Sequence, residues 1–387
     1  MEKALRIGFA CEWSEPREKT WSHTPYSLLQ ALHRMPGAEI ADVPGQLHPL
    51  MLKVLKLLTL RYNPRLGDVV TQVMFSSAHS RMVERQMHKA MRRHPQLDAV
   101  ISIFDFLSTP EAPQYIYYDL CVAELRRVLA DPLQGRYERM SYSSSLLRKR
   151  EEYQSKVFKQ SAGLFAMSEY AARTTAAAYG IDPGAIHVVR AGCNVNVQAQ
   201  TERPMQKQYV LFVGRDFKRK GGELLLDAYE HVQKHHDVDV VIAGPAEWMR
   251  QGPVPDGVHL LGNAPLSQLS SYFQHAQLFV MPSYYEAFGI AFAEALCYGV
   301  PVIARNSCAM PEIVRHGQNG YLLGAESESP AELAELVNTA LANTRMKHDT
   351  EQQAAKAREY YSWDRVAADM LSVVRKNLSR NDINAHQ

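Results

Sequence analysis

Two glutamates, Glu286 and Glu294, stand eight residues apart in the segment Val280–Ile303. On one helix they would lie about 12 Å apart along the axis and roughly 80° apart around it, so no single face can present both. Glu286 is therefore expected to act from a loop and Glu294 from the second turn of the helix that follows. Phe288, Gly289 and Ile290 would open that helix. Gly289 permits close approach of a backbone or ligand, and the free N–H groups around it form a site for an anion. Gly299 stops the helix at C′, and Pro301 opens the next strand. Carboxylates on either side of an anion site suit an elongated ligand with negative charge in its middle and hydroxyls at both ends. A nucleotide sugar has that shape. Two carboxylates alone would fit a solvated helix face better, but the Pro-Ser, Phe-Gly and Gly-x-Pro context favours the binding reading.

Positioning these groups requires strands that end where the loops begin. In the first half, apolar runs predict strands over Leu5–Ala10, Glu39–Val43, Ala99–Phe104, Tyr115–Tyr118, Leu164–Met167 and Ile186–Val189. Helical patterns cover Tyr26–Arg34, Val122–Leu129 and Leu146–Gln160. The polar stretch Asn194–Pro204 lacks a sustained period and reads as a linker. A second series follows: strands over Tyr209–Val213, Val238–Ala243, His259–Leu261, Leu278–Met281 and Pro301–Ala304, with helices over Glu223–Lys234, Leu266–His275 and Ile290–Tyr298. The alternation argues two successive α/β domains with mainly parallel sheets, and it places a ligand in the cleft at the carboxyl ends of the strands. Asn377–Gln387 reads as a frayed tail.

A chain of 387 residues is too long for one compact core, and 46% hydrophobic with 22% charged residues is ordinary globular material. No stretch approaches the ~20 apolar residues that span a bilayer. The first residues read as a strand and not as a secretion signal. Five scattered cysteines without a Cys-x-x-Cys pair suggest neither a disulfide framework nor a zinc site. The expected compartment is the cytoplasm. Residues 1–200 carry 25 Lys and Arg against 19 Asp and Glu, a net +6, and the remainder is −4. Within the basic half, Leu50–Arg61 is apolar and cationic, and Arg81–His94 is densely basic. The first reads as a core helix with its cations on the wet face, the alternative being a segment that lies on an anionic membrane surface.

The Val280–Ile303 segment resembles the Glu-x7-Glu signature of the family-4 retaining glycosyltransferases, enzymes of the GT-B fold. Met310–Leu323 is similar to that family's Pro-Glu-Ile…Gly-x-x-Gly segment. Phe212-Val213-Gly214-Arg215, Lys220-Gly221, Ile242-Ala243-Gly244, His259-Leu260-Leu261-Gly262 and Tyr361-Ser362-Trp363 extend the likeness over almost all of 205–365. The resemblance implies two Rossmann-like α/β domains facing each other across a cleft. Residues 1–196 would bind the acceptor and 205–362 the nucleotide sugar, with a C-terminal helix over 363–380 packing back on the first domain.

The resemblance also implies roles. Arg215 and Lys220 would hold the diphosphate and stabilise its departure. Glu294 would accept hydrogen bonds from ribose hydroxyls, and Glu286 would bind the donor sugar and stabilise charge near its anomeric carbon. The amides of Phe288, Gly289 and Ile290 would complete the phosphate cradle, and Gly262 would wall the nucleobase. In the first domain, Thr24-Pro25 stands where many members carry Gly-Gly; Thr24 would be the N-cap and Pro25 the first helical residue. Tyr118-Asp119 stands where many members have His-Asp, which removes an acid–base histidine and leaves Tyr118 a hydrogen-bond donor and Asp119 in place.

The reading is a metal-independent retaining hexosyltransferase that needs no cofactor beyond its UDP-, GDP- or ADP-linked sugar. The family implies front-face attack, in which the acceptor hydroxyl enters beside the leaving phosphate and gives it the proton. The acceptor would be a glycan or lipid-linked hydroxyl, with peripheral membrane contact through 50–94 on the inner face, and no nucleic acid. Alternatives are a catalytically impaired sugar-nucleotide-binding assembly protein and a GT-B sugar-nucleotide hydrolase or epimerase. Asp237-Val238-Asp239 lies at the amino end of a strand, away from the site, and is read as structural.

Overall fold

The computed structural model describes residues 4–63, 68–107, 112–137, 143–194 and 202–385. The chain divides into two compact units. Unit 1 comprises Met1–Ala130, Glu138–Gly192 and Trp363–Gln387; unit 2 comprises Asp131–Tyr137 and Cys193–Ser362.

Unit 1 contains strands β1 (Leu5–Cys11), β2 (Ala38–Pro44), β3 (Leu60–Asn63), β4 (Asp68–Thr71), β5 (Ala99–Ile103), β6 (Gln114–Tyr118), β7 (Gly163–Ala166) and β8 (Ile186–Val188). Its helices are α1 (Thr24–Arg34), α2 (Pro49–Leu58), α3 (Ser77–Met91), α4 (Val122–Ala130), α5 (Ser144–Gln160) and α6 (Glu169–Tyr179). Six strands form one sheet in the order β2-β1-β5-β6-β7-β8, parallel throughout. β5 and β6 are buried at every position, the mark of a parallel sheet covered on both faces.

Unit 2 runs β9 (Tyr209–Val213), α7 (Gly222–Val232), β10 (Asp239–Ala243), β11 (Val258–Gly262), α8 (Leu266–His275) and β12 (Leu278–Val280). It continues with α9 (Ile290–Cys297), β13 (Val302–Arg305), α10 (Met310–Ile313), β14 (Gly320–Leu323), α11 (Pro330–Ala342) and α12 (Thr344–Tyr360). Its sheet order, β11-β10-β9-β12-β13-β14, is again all parallel. Renumbered within the unit this is 3-2-1-4-5-6, the doubly wound order whose switch point lies between the first and fourth strands, here β9 and β12.

Both units are thus Rossmann-like α/β layers, and each long strand expected from the apolar runs forms within a residue or two of its place. Three expectations are corrected. Leu50–Leu58 is a helix but not a core helix. Only Leu55 is buried, while Leu50, Leu57 and Leu58 are 65%, 68% and 70% exposed. The C-terminal run is helical as far as it is described: α13 (Trp363–Ala385) continues into it, its earlier turns anchored in unit 1 by buried Val366, Met370 and Val374. Arg375 also donates to the carbonyls of Pro36 and Gly37 at 3.2 and 3.1 Å. Thr24 is not an N-cap. His23 holds that position in the left-handed region (φ 68°), and Thr24 is the first helical residue, fully buried. The chain enters α1 through Trp21, Ser22 and His23, all at positive φ, and this turn moves the cap one residue upstream. Most of the Asn194–Pro204 linker lies outside the described residues.

A candidate active site at the strand ends of unit 2

β9 and β12 are hydrogen-bonded neighbours, so the loops leaving their carboxyl ends, 214–221 and 281–289, run side by side. Glycines allow the fit. A Cβ on Gly214 would fall 2.2 Å from the Lys220 stem, and one on Gly221 (φ 77°) 2.6 Å from the Pro282 carbonyl oxygen. The lysine therefore folds back over its own strand end and reaches the second loop.

There Lys220 Nζ donates to Glu286 Oε1 at 2.7 Å, and Ser283 Oγ donates to the same oxygen at 3.0 Å. Arg219 Nη1 stands 3.7 Å from that oxygen and donates to the Tyr285 carbonyl at 2.6 Å, with its Nε on Asp216 at 3.1 Å. Burial alone would raise the Glu286 pKa. The charges of Lys220 and Arg219, with hydrogen bonds from Lys220 and Ser283, outweigh it and hold the carboxyl below its ordinary value. Glu286 is therefore an ionised carboxylate at neutral pH, clamped on one oxygen.

The loop carrying Glu286 is itself held from beneath. Arg305, at the end of β13, is fully buried, and its guanidinium donates to the carbonyls of Pro282, Ser283, Gly324, Ala325 and Ser327 at 2.6–3.3 Å. It also lies 4.6 Å over the Tyr284 ring. Burial pulls its pKa down from the ordinary arginine value.

α9 begins at Ile290 with Gly289 as its N-cap at φ 89° and no side-chain cap. Its Phe292 N–H donates back to the Gly289 carbonyl at 3.0 Å, and the N–H groups of Ile290 and Ala291 precede the intrahelical ladder, leaving a partial positive charge at the end of the Glu286 loop. The helix ends in a Schellman motif: Gly299 N–H donates to Leu296 O at 3.0 Å and Val300 N–H to Ala295 O at 2.9 Å. Glu294 sits on the second turn, 8% exposed, and its Oε1 accepts the Asn194 N–H at 3.2 Å. Phe288 is buried, its ring edge-on to Tyr361 at 6.4 Å.

Lys220 and Glu286 are thus brought into contact. Arg215 shares the Lys220 loop, exposed and without an ion pair among the described residues. Gly262 ends β11 at φ 61° with nothing within 4 Å of where a Cβ would stand, and its carbonyl accepts the Gly244 N–H at 2.8 Å. Asp237 and Asp239 are bridged by Lys207 at 2.7 and 2.8 Å, and Asp239 also takes His259 Nε2 at 2.7 Å, at the amino end of β10. Among the described residues no three or more His, Cys, Asp or Glu are grouped so as to hold a metal ion.

The unit 1 candidates stand differently. Tyr118 is fully buried, its ring 5.0 Å from Phe158 and its hydroxyl directed at the Ala171 carbonyl at 3.5 Å. Burial raises its pKa. Asp119 is half-buried just after β6, and its charge, after burial, helps raise the Tyr117 phenol. Thr24 Oγ1 is buried with no hydrogen-bond partner among the described residues.

Sequence reasoning passed over Arg219, Ser283 and Arg305. The run Lys218-Arg219-Lys220 signalled the first, and Ser283, three residues before Glu286, the second. Arg305 gave no signal beyond one cation closing an apolar strand.

Residues 196–357 match the family model described as Glycosyl transferases group 1. A D-inositol 3-phosphate glycosyltransferase of Jonesia denitrificans is 26% identical over 257 residues, which is 59% of this chain and 60% of the relative. The chain spans roughly half the length of the curated relatives it matches, between 44% and 62%. Sucrose-phosphate synthase from Thermosynechococcus elongatus superposes with a TM-score of 0.72 at 15% identity, covering 97% of this chain and 100% of that one. Anabaena HepE, in complex with UDP-glucose, gives 0.61 at 16% identity over 95% and 100% of the two chains. The fold is GT-B. Over residues 196–357 the second unit is similar to the group 1 glycosyltransferases.

Proposed function

We propose that the protein is a retaining glycosyltransferase that moves a hexose from a nucleotide-sugar donor to an acceptor hydroxyl, in glycan, polysaccharide or glycolipid synthesis. The observation that carries this is the Lys220–Glu286 contact at the β9–β12 switch point, inside the segment matched to the family. A carboxylate held ionised beside cations and a helix N-terminus is suited to a ligand that combines a diphosphate with sugar hydroxyls. HepE, whose structure carries UDP-glucose, supports the donor class.

In this reading Arg215 and Lys220 bind the diphosphate with the amides of Phe288, Gly289 and Ile290. A cation about 4 Å from a phosphate oxygen contributes roughly 4 kcal/mol at an effective dielectric of 20, so two can stabilise the leaving group without a metal ion. Glu294 takes the ribose hydroxyls, Gly262 borders the base, and Glu286 grips the donor sugar near its anomeric carbon. The acceptor hydroxyl enters on the side of the leaving phosphate and gives it the proton. Asp119 and Thr24 are the unit 1 residues assigned to the acceptor side. A lipid-linked acceptor would bring the 50–94 region to a membrane.

A thermal-shift panel of UDP, GDP, ADP and their sugars identifies the donor, since a ligand bound only by the folded state raises its stability. With that donor and EDTA present, the NMR-determined product should keep the donor's anomeric configuration. An inverted product, or turnover abolished by EDTA, overturns the mechanism.

A further inference from the structure

α2 and the β3–β4 hairpin occupy the place in chain order where unit 2 has its edge strand β11, yet among the described residues β3 and β4 pair only with each other. α2 is held to unit 1 along one side. Leu55 is buried in a cluster with Val43, Val73, Val83 and Met87, and Leu52 packs against it. The other apolar side chains of the helix face solvent: Leu50, Met51, Val54, Leu57 and Leu58 are 65%, 39%, 54%, 68% and 70% exposed. At 3.6 residues per turn they form one arc of roughly 120°, with exposed Lys53 and Lys56 along its flank.

The hairpin continues the surface. Thr59 ties it to the helix, its hydroxyl 2.7 Å from the Leu55 carbonyl and 2.9 Å from the Thr71 hydroxyl. Tyr62 and Val69 are cross-strand partners on one face, 65% and 54% exposed, and Leu60, two residues from Tyr62, shares that face at 38%. Isolated exposed apolar residues are ordinary, but eight on one helix and its adjoining hairpin mark an interaction surface. Its charge is net positive: from Pro49 to Thr71 the sequence has four Lys or Arg against the single acidic residue Asp68.

We propose that α2 and the β3–β4 hairpin are a docking surface for an anionic phospholipid bilayer. The apolar arc enters the acyl boundary, while Lys53, Lys56 and Arg61 meet lipid phosphates with their stems along the apolar surface. Tyr62 sits at the headgroup level, where its amphipathic ring is favoured. No helix among the described residues is long and apolar enough to cross a membrane, so the surface lies on the bilayer. The net positive charge selects an anionic lipid surface over a neutral one, each cation adding about fivefold to binding. The inference concerns unit 1 alone and stands whether or not unit 2 transfers sugar.

The full-length protein is sedimented at low salt with phosphatidylcholine vesicles, pure or containing about a quarter phosphatidylglycerol, enough to set up the negative surface potential. Binding should be at least about tenfold stronger to the anionic vesicles. Leu57→Ser/Leu58→Ser, at exposed positions that leave the melting temperature unchanged, should weaken it at least about tenfold. Lys53→Gln/Lys56→Gln should remove most of the preference for anionic lipid. Equal or absent binding to the two vesicle types overturns the proposal, as does full binding by the leucine variant. A dimer in solution that this variant converts to monomer also overturns it, because a second copy then covers the face.

Discussion

The two units are both six-stranded parallel α/β sheets but put their charges to different uses. In unit 2 the switch-point loops bring an ionised carboxylate and two cations together on one glutamate oxygen, with a further arginine exposed beside them. In unit 1 the charged groups near the corresponding strand ends pair off. Arg150 grips Asp105 through both nitrogens at 2.5 and 2.6 Å, both residues buried, and fully buried His79 holds Glu12 at 2.8 Å. The Tyr117 hydroxyl donates to the Arg190 carbonyl at 2.7 Å and that of Tyr118 to the Ala171 carbonyl at 3.5 Å. The second difference is at the sheet edge, where β11 completes one sheet and the exposed helix and hairpin replace it in the other. One scaffold, wound twice, keeps a polar strand-end site in one copy and an apolar outer surface in the other.

The contrast can be broken by substitution. Glu286→Ala should lower kcat by at least about 100-fold with the donor identified by thermal shift, the scale of losing one preorganised electrostatic group. Initial rates within threefold of the parent would remove Glu286 from the reaction. Lys220→Met leaves a buried carboxylate with a weaker partner and should cost roughly 2–4 kcal/mol in urea unfolding. Adding Glu286→Gln should recover most of that stability and none of the activity, since the lost partner no longer faces a charge.

Arg305→Met should cost about 3 kcal/mol by leaving several carbonyls unsatisfied, and no single second substitution should restore it. In unit 1, by contrast, Arg150→Met should be rescued by Asp105→Leu, because that arginine answers one carboxylate. Rescue of Arg305→Met by a single partner change would erase the distinction. Glu286, with its pKa held below the unfolded value, contributes stability that is present above the unfolded pKa and lost as pH falls through the folded one. Glu286→Gln should therefore flatten the acid side of the stability curve. Tyr118→Phe should be the mildest change, under about 1 kcal/mol and within twofold in rate, because the bond from its hydroxyl to the Ala171 carbonyl is long.

What could be read in advance follows the reach of each signal. The Val280–Ile303 segment displayed its strand, glycine-capped helix and Schellman stop because these are local: each depends on residues within about five positions. The placement of Glu286 in the loop and Glu294 on the second turn needed only helix geometry. The Leu50–Leu58 helix was legible as a helix, since periodicity reports conformation, but not its exposure. An amphipathic pattern says that two faces differ and not which neighbour covers either. Tyr118 shows the same limit, because a phenol at a strand end reads as a ligand group until the packing against Phe158 is known.

The sequence by itself determined most of the strands and helices, the α/β alternation of each half and the chemical type of the Val280–Ile303 loop, while the β3–β4 hairpin and β14 went unread. Those properties come from turns, caps and periods that the chain expresses over a few residues. Tertiary structure alone decided that Lys220 and Glu286, 66 positions apart, share an oxygen, that Arg219 joins them and that Arg305 braces their loop. These contacts exist because β9 hydrogen-bonds to β12 and β12 to β13, and strand order is a property of how the whole sheet buries its apolar faces.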